Sequence, residues 1–267
     1  MTRRAAIIWV WGLVLIAGAI GGGYAWWRQQ DVTQAYEAGR AAADADRWEE
    51  ALTLAQPYTG RDDPRINGLL ADAYINGPDS IKDIDEGLTL RRRATEAGNM
   101  RAAYFLGKWI LENEPTDAQA HEAIGFLQEA ADCGMPMANF DLGFQYLDGT
   151  WIKRNFDKAI YYSERAAFSG VPDAAWNAGL AYGKIAIAGN FSEDTLDKVA
   201  MNWWFVSAWE GDPDAKETLN EIRSKTTAKF GDDGDAWYKK METDARRWAK
   251  KINPATPYAC QTTAYRR

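Results

Sequence analysis

The chain has 267 residues, 46% hydrophobic and 26% charged, proportions that supply a sizeable folded core and exclude disorder throughout. Asp and Glu total 38 against 31 Lys and Arg. Because Arg3 and Arg4 precede the first apolar run, everything after them is more acidic still, which argues against a nucleic-acid partner. One histidine, His121, and two cysteines, Cys133 and Cys260, cannot make a four-ligand zinc site, and a triad using histidine would have to use that one residue. No metal and no cofactor is expected.

The first element is an uncharged run from Ala5 to Trp27, bounded by Arg3, Arg4 and Arg28. It exceeds the ~20 apolar residues that cross a hydrocarbon core as a helix. Trp9, Trp11, Trp26 and Trp27 sit near its ends, where indoles favour the membrane interface. Residues 1–28 are therefore expected to form a transmembrane anchor. The alternative is a signal peptide cut before Trp26, against which the run is longer than a usual signal core. The leading arginines are expected to stay inside. That would make a single-pass protein of a bacterial inner membrane with its body in the periplasm. Gly18 and Gly22 form a small-xxx-small pair that would let a second membrane helix approach, although glycine is common in spans generally.

Residues 31–60 read as a capping helical hairpin, with Tyr36, Gly39 and Ala42 on its first helix and Trp48, Ala51, Leu52 and Ala55 on its second. The body then repeats itself. Ala71, Gly107, Gly143 and Gly179 lie 36 residues apart, each three residues before Tyr74, Ile110, Tyr146 or Tyr182. A second series, Gly98, Gly134, Gly170 and Gly211, closes Ala-rich stretches at helix C-cap positions, with Pro136 and Pro172 two residues beyond. The units are 63–99, 100–136, 137–172 and 173–213, each with two helices, and the fourth carries an insertion around Ile187 to Ser192. Two further helices, Asp214 to Phe230 and Asp235 to Ile252, are predicted to close the array within 214–252, and 253–267 reads as a tail.

These co-registered positions resemble the Sel-1-like repeat family, relatives of the tetratricopeptide repeats, whose pattern is Ala-x-x-x-Leu-Gly-x-x-Tyr-x-x-Gly followed by a second helix with an aromatic and Ala-Ala before a closing glycine. Ala138, Leu142, Gly143, Tyr146, Gly149, Tyr162, Ala166, Ala167 and Gly170 match it nearly throughout. The resemblance implies an all-α, right-handed solenoid of antiparallel helix pairs. It also implies that the residue three before each conserved glycine lines the concave groove: Gly68, Tyr104, Phe140 and Trp176, with Lys108, Phe144 and Leu180 one turn on. Tyr104, Lys108, Phe140, Phe144, Trp176 and Leu180 are thus the candidate protein-binding groove, against the alternative that such aromatics only pack helix on helix.

The remaining clusters read more plainly. Asp83, Asp85 and Glu86, like Asp232, Asp233 and Asp235, lack calcium-loop spacing and fit helix starts. Arg91, Arg92 and Arg93 read as an exposed helix face, with an acidic partner site as the alternative. Cys133 and Cys260 are candidates for a disulfide if the body is exported, or else two thiols. Members of the family commonly act as non-catalytic adaptors in envelope systems, so the expected function is a scaffold for another envelope or inner-membrane protein. An exported glycan or small-ligand binder using Trp176, Trp203, Trp204 and Trp209 is the alternative. A beta-lactamase-like enzyme is disfavoured, because regularly spaced cysteine pairs are missing.

Overall fold

The computed structural model describes residues 31–187 and 193–250, and among them every element is helical. The predicted span from Ala5 to Trp27, with Gly18 and Gly22, lies outside the described residues, as do part of the insertion after Ile187 and the tail with Cys260. Among the described residues no helix is long and apolar enough to cross a membrane. The chain divides at Ala102 and Ala103 into two compact units.

In the first unit, α1 (31–44) and α2 (Trp48–Ala55) form the expected hairpin, followed by a short 3-10 turn, Gln56–Arg61, and by α3 (Pro64–Asn76) and α4 (Ile84–Glu96). Small residues bring the helices together: Ala42, Ala51, Ala55 and Ala71 are fully buried beside Ile66 and Leu70. Asp63 caps α3 by accepting from the Arg65 backbone N–H, and Asp83 caps α4 through Glu86 N–H. The acidic group at 83–86 is therefore a helix start, satisfying N–H groups that the helix itself leaves unpaired.

The arginine run of α4 departs from the expectation of one exposed face. Arg92 and Arg93 are exposed, but Arg91 follows Gly87 and Leu90 onto the buried face and is only 4% exposed. Its guanidinium donates to the buried Asp72 carboxylate at 2.7 Å; Arg40 donates to the other oxygen at 2.7 Å, and Arg101 lies 3.6 Å from it. Helical periodicity, which sends every third or fourth residue inward, divides a run that looks uniform in sequence.

The second unit takes in most of α5 (Met100–Glu112), then α6 (Asp117–Asp132), α7 (Pro136–Asp148), α8 (Phe156–Phe168), α9 (Ala174–Ile187), α10 (Glu193–Glu210), α11 (Pro213–Phe230) and α12 (Asp232–Ala249). Thr116 and Gln119 form a capping box at α6. Gly143 on α7 sits directly on α8, where an added methyl would collide with the Ser163 hydroxyl and lie 3.0 Å from its backbone nitrogen. Gly107 meets the Ala123 carbonyl of α6 in the same way, at 2.8 Å, and Gly179 the Trp204 indole of α10, at 2.5 Å. Gly98, Gly134, Gly170 and Gly211 all have positive φ, and at each the next residue's N–H reaches back to the helix it terminates, the left-handed stop anticipated from spacing.

α12 begins earlier than the sequence suggests, at Asp232, because Gly231 adopts φ 61° and ends α11 there. Asp232, Asp233 and Asp235 thus occupy a first helical turn, and Asp235 pairs with Arg223 and Lys239, each at 2.7 Å.

Candidate functional site

The repeat positions predicted to line a groove have different fates. Tyr104 on α5 is 3% exposed and packs edge-to-face on Phe105 at 4.9 Å, so it is core and not surface. Its neighbours Ala103 and Leu106 are also buried, and the ring follows them inward. Phe140 is half-buried against Ala166, Val171 and Ala174, and Trp176 is half-buried 6.1 Å from the Trp204 ring. Lys108 and Leu180 are half-exposed, while Phe144 on α7 is 47% exposed. The predicted platform of aromatics is therefore mostly packing, with Phe144 left as its exposed ring.

Beside it lies a polar cleft that sequence reasoning missed. Lys108, Leu111 and Glu112 of α5, Leu127 of α6, and Asp141 and Gln145 of α7 line an open cleft of about 130 Å³. One oxygen of Asp141 and the side-chain oxygen of Gln145 are buried with no hydrogen-bond partner. Burial pushes the Asp141 carboxyl above the ordinary carboxylate range, opposed by the Tyr104 hydroxyl that donates to it and by the Lys108 charge, and reinforced by Glu112. Lys108 Nζ lies 3.7 Å from Glu112 Oε1. The clue available in sequence was register: Asp141 holds the position that Leu69, Phe105 and Asn177 hold in the other units, so a carboxylate replaces an apolar or neutral side chain.

A raised folded-state pKa means that the folded chain binds this proton more tightly than the unfolded chain does. Stability conferred by the protonated form is then present at low pH and is lost as pH rises from the unfolded value through the raised one. Asp141→Asn keeps an oxygen for Tyr104 and removes the ionisation. Its stability relative to the parent is expected to improve between about pH 4 and pH 7, read as the difference in urea midpoints at the two ends. A constant difference would show that Asp141 titrates normally.

The Trp-rich unit divides between buried and open rings. Trp203 is 1% exposed and Trp204 fills the space above Gly179 and Gly183, whereas Trp209 is 40% exposed, with the Arg246 guanidinium 4.7 Å from its ring centre. His121 is exposed near the start of α6, its Nδ1 2.8 Å from the Asp117 carbonyl oxygen. Cys133, at the C-cap of α6, is not a free thiol; Cys260 lies outside the described residues.

The sequence profile of the Sel1 repeat matches residues 69–99, 101–135 and 136–170. Residues 69–170 thus carry three Sel1 repeats. These take in α3 to α8, and the Sel1 helix pairs α5–α6 and α7–α8 carry the cleft and Phe144. A solved protective antigen of uropathogenic Escherichia coli with an SLR fold is similar, with a TM-score of 0.60 and 18% identity over 87% of this chain and 47% of that one. This chain thus spans about half the length of that protein. A Sel1 repeat protein from Oxalobacter formigenes has a TM-score of 0.60 and 17% identity, over 87% of this chain and 97% of its own. At such identities the likeness concerns the fold. No curated protein matches the chain. Sel1 repeats generally serve protein–protein interaction.

Proposed function

We propose that this chain is a non-catalytic scaffold, held in a bacterial inner membrane by the helix expected from Ala5 to Trp27, with its Sel1 repeats in the periplasm to engage another envelope or membrane protein. The observation that carries the reading is Phe144, an aromatic 47% exposed on the face of α7 beside the polar cleft. Large aromatics with one face in water are the usual anchors of protein interfaces. The anchor and orientation rest on the uncharged run and the leading arginines.

The test is a photo-crosslinking residue at position 144 of the full-length protein in native membranes, with a control at the exposed Glu221 of α11. One membrane or envelope protein captured at 144 and not at 221, on a bait with an intact N-terminus, is the expected result. Equal capture at both positions, or a mature start near Trp26 with no adduct, would overturn it.

In an oxidising compartment the same reading pairs Cys133 with Cys260. Closing so long a loop would stabilise the fold by ~4 kcal/mol. Digestion without reductant is expected to give one linked peptide pair that separates on reduction. Recovery of both peptides alkylated before reduction would show that the bond is not made.

A further inference from the structure

We propose that the cleft between α1, α3 and the first turn of α5 receives a glutamate side chain of the bound protein, its carboxylate met by the guanidinia of Arg40 and Arg101. The inference rests on the scaffold reading and gives its partner a chemistry.

Tyr36 and Arg40 of α1, Arg65, Gly68 and Asp72 of α3, and Arg101 of α5 are among the residues that line this cleft. Three guanidinia and one carboxylate therefore share one opening, in a chain where acids outnumber bases. They are within reach of a ligand, the Arg40 side chain being 17% exposed and that of Arg101 44%. Asp63 answers Arg65 at 2.7 Å, whereas Arg40, Arg91 and Arg101 gather on Asp72, the first two at 2.7 Å and the third at 3.6 Å. Arg40 also meets Asp44, whose side chain is largely in water and screened by it. Burial holds the Arg91 pKa below its ordinary value, and the Arg101 charge adds to that effect against the pull of Asp72. Positive charges thus crowd one another at an accessible opening, and an added carboxylate relieves the crowding. Register brings the groups together. Arg65 and Arg101 hold one position in successive units, 36 residues apart, where the next unit has Met137. Gly68 stands where later units have Tyr104, Phe140 and Trp176; an added methyl there would lie 2.9 Å from Asn99 Nδ2, so no ring closes over the cleft. The opening holds about 10 Å³, one water-sized group. One carboxylate oxygen fits it, with the other outside on the exposed Arg101. A planar carboxylate on a slim stem suits such an opening better than a tetrahedral phosphate, and the planar guanidinium is matched to it.

The test uses the full-length protein in mild detergent, with isotope-labelled arginine and the Arg40 Nε–H signal followed during titration. The probe is a blocked tripeptide with a central glutamate, compared with the same peptide carrying glutamine. A saturable shift of the Arg40 signal with glutamate and none with glutamine is expected. Arg101→Gln should weaken binding ~10-fold, whereas Asp44→Asn should tighten it ~3-fold by removing the carboxylate that competes for Arg40. Both residues are exposed, so neither substitution is expected to unfold the chain, and a purely structural role would not give opposite signs. Equal shifts with both peptides, unchanged binding in Arg101→Gln, or weaker binding in Asp44→Asn would each overturn the proposal. Acetate or inorganic phosphate binding as tightly as the peptide would overturn its macromolecular part, leaving a site for a small free anion. Because capture at position 144 is read separately, the scaffold reading stands or falls by its own experiment.

Discussion

Asp72→Ala is expected to destabilise the first unit by about 3–5 kcal/mol, the range for removing one partner of a buried ion pair. The side chain of Asp72 is 8% exposed and that of Arg91 5%. With the carboxylate gone, Arg91 and Arg40 would face each other in a largely buried site, Arg40 keeping only the exposed Asp44 at 2.7 Å. The two 2.7 Å bonds to Asp72 are lost, and the repulsion between guanidinia adds to that loss. The magnitude therefore reflects what is left behind more than the worth of the pairing. A second substitution separates the two: placed in an Arg91→Ala background, the same change should be milder, since the most buried of the stranded charges is absent. Urea unfolding of the four chains, followed by circular dichroism, closes the cycle. A loss below about 1 kcal/mol for Asp72→Ala alone would mean that water reaches the cluster and that it behaves as a surface group.

Trp203→Ala should produce a loss of similar size, about 3–5 kcal/mol, by the different route of an emptied core. The ring is 1% exposed and is approached by Phe168 at 5.5 Å and Trp248 at 4.9 Å, with Ala175 and Ala178 beside it. Four helices, α8, α9, α10 and α12, thus meet on a single side chain. Alanines on two of them cannot move in to fill the space without drawing their backbones along. Trp209→Ala is the matched comparison, because that ring is 40% exposed and lies under Arg246; its removal should cost about 1 kcal/mol. Thermal unfolding of both variants in parallel decides the matter. Equal losses would show that Trp203 does not join the elements that it touches.

The helix pairs were legible in sequence because they rest on backbone requirements. A left-handed stop at Gly134 or Gly170 and a close approach at Gly143 admit few residue types, so the 36-residue spacing shows them directly. The groove was less legible. Helical register places Tyr104, Phe140 and Trp176 equivalently, yet whether a ring lies in or out depends on its neighbours, and Tyr104 turned inward to bond Asp141. The buried ion cluster was hidden because Arg40, Asp72 and Arg91 come from three helices and no local pattern joins them. Asp141 and Gln145 are one helical turn apart, but only their burial against α5 and α6 distinguishes them from ordinary solvated side chains.

The glycine seats have a consequence for how such a chain can change. In α5–α6, α7–α8 and α9–α10 the spacing of the pair is set where Gly107, Gly143 and Gly179 meet the opposite helix. The next residue in each repeat is Lys108, Phe144 or Leu180: a cation, an aromatic and an aliphatic chain in successive copies of one position. A fixed letter and a varied one thus stand side by side, the first glycine in all three of these pairs and the second different in each. On the proposed scaffold reading, single substitutions at the varied position would change what each repeat presents while the frame stays intact.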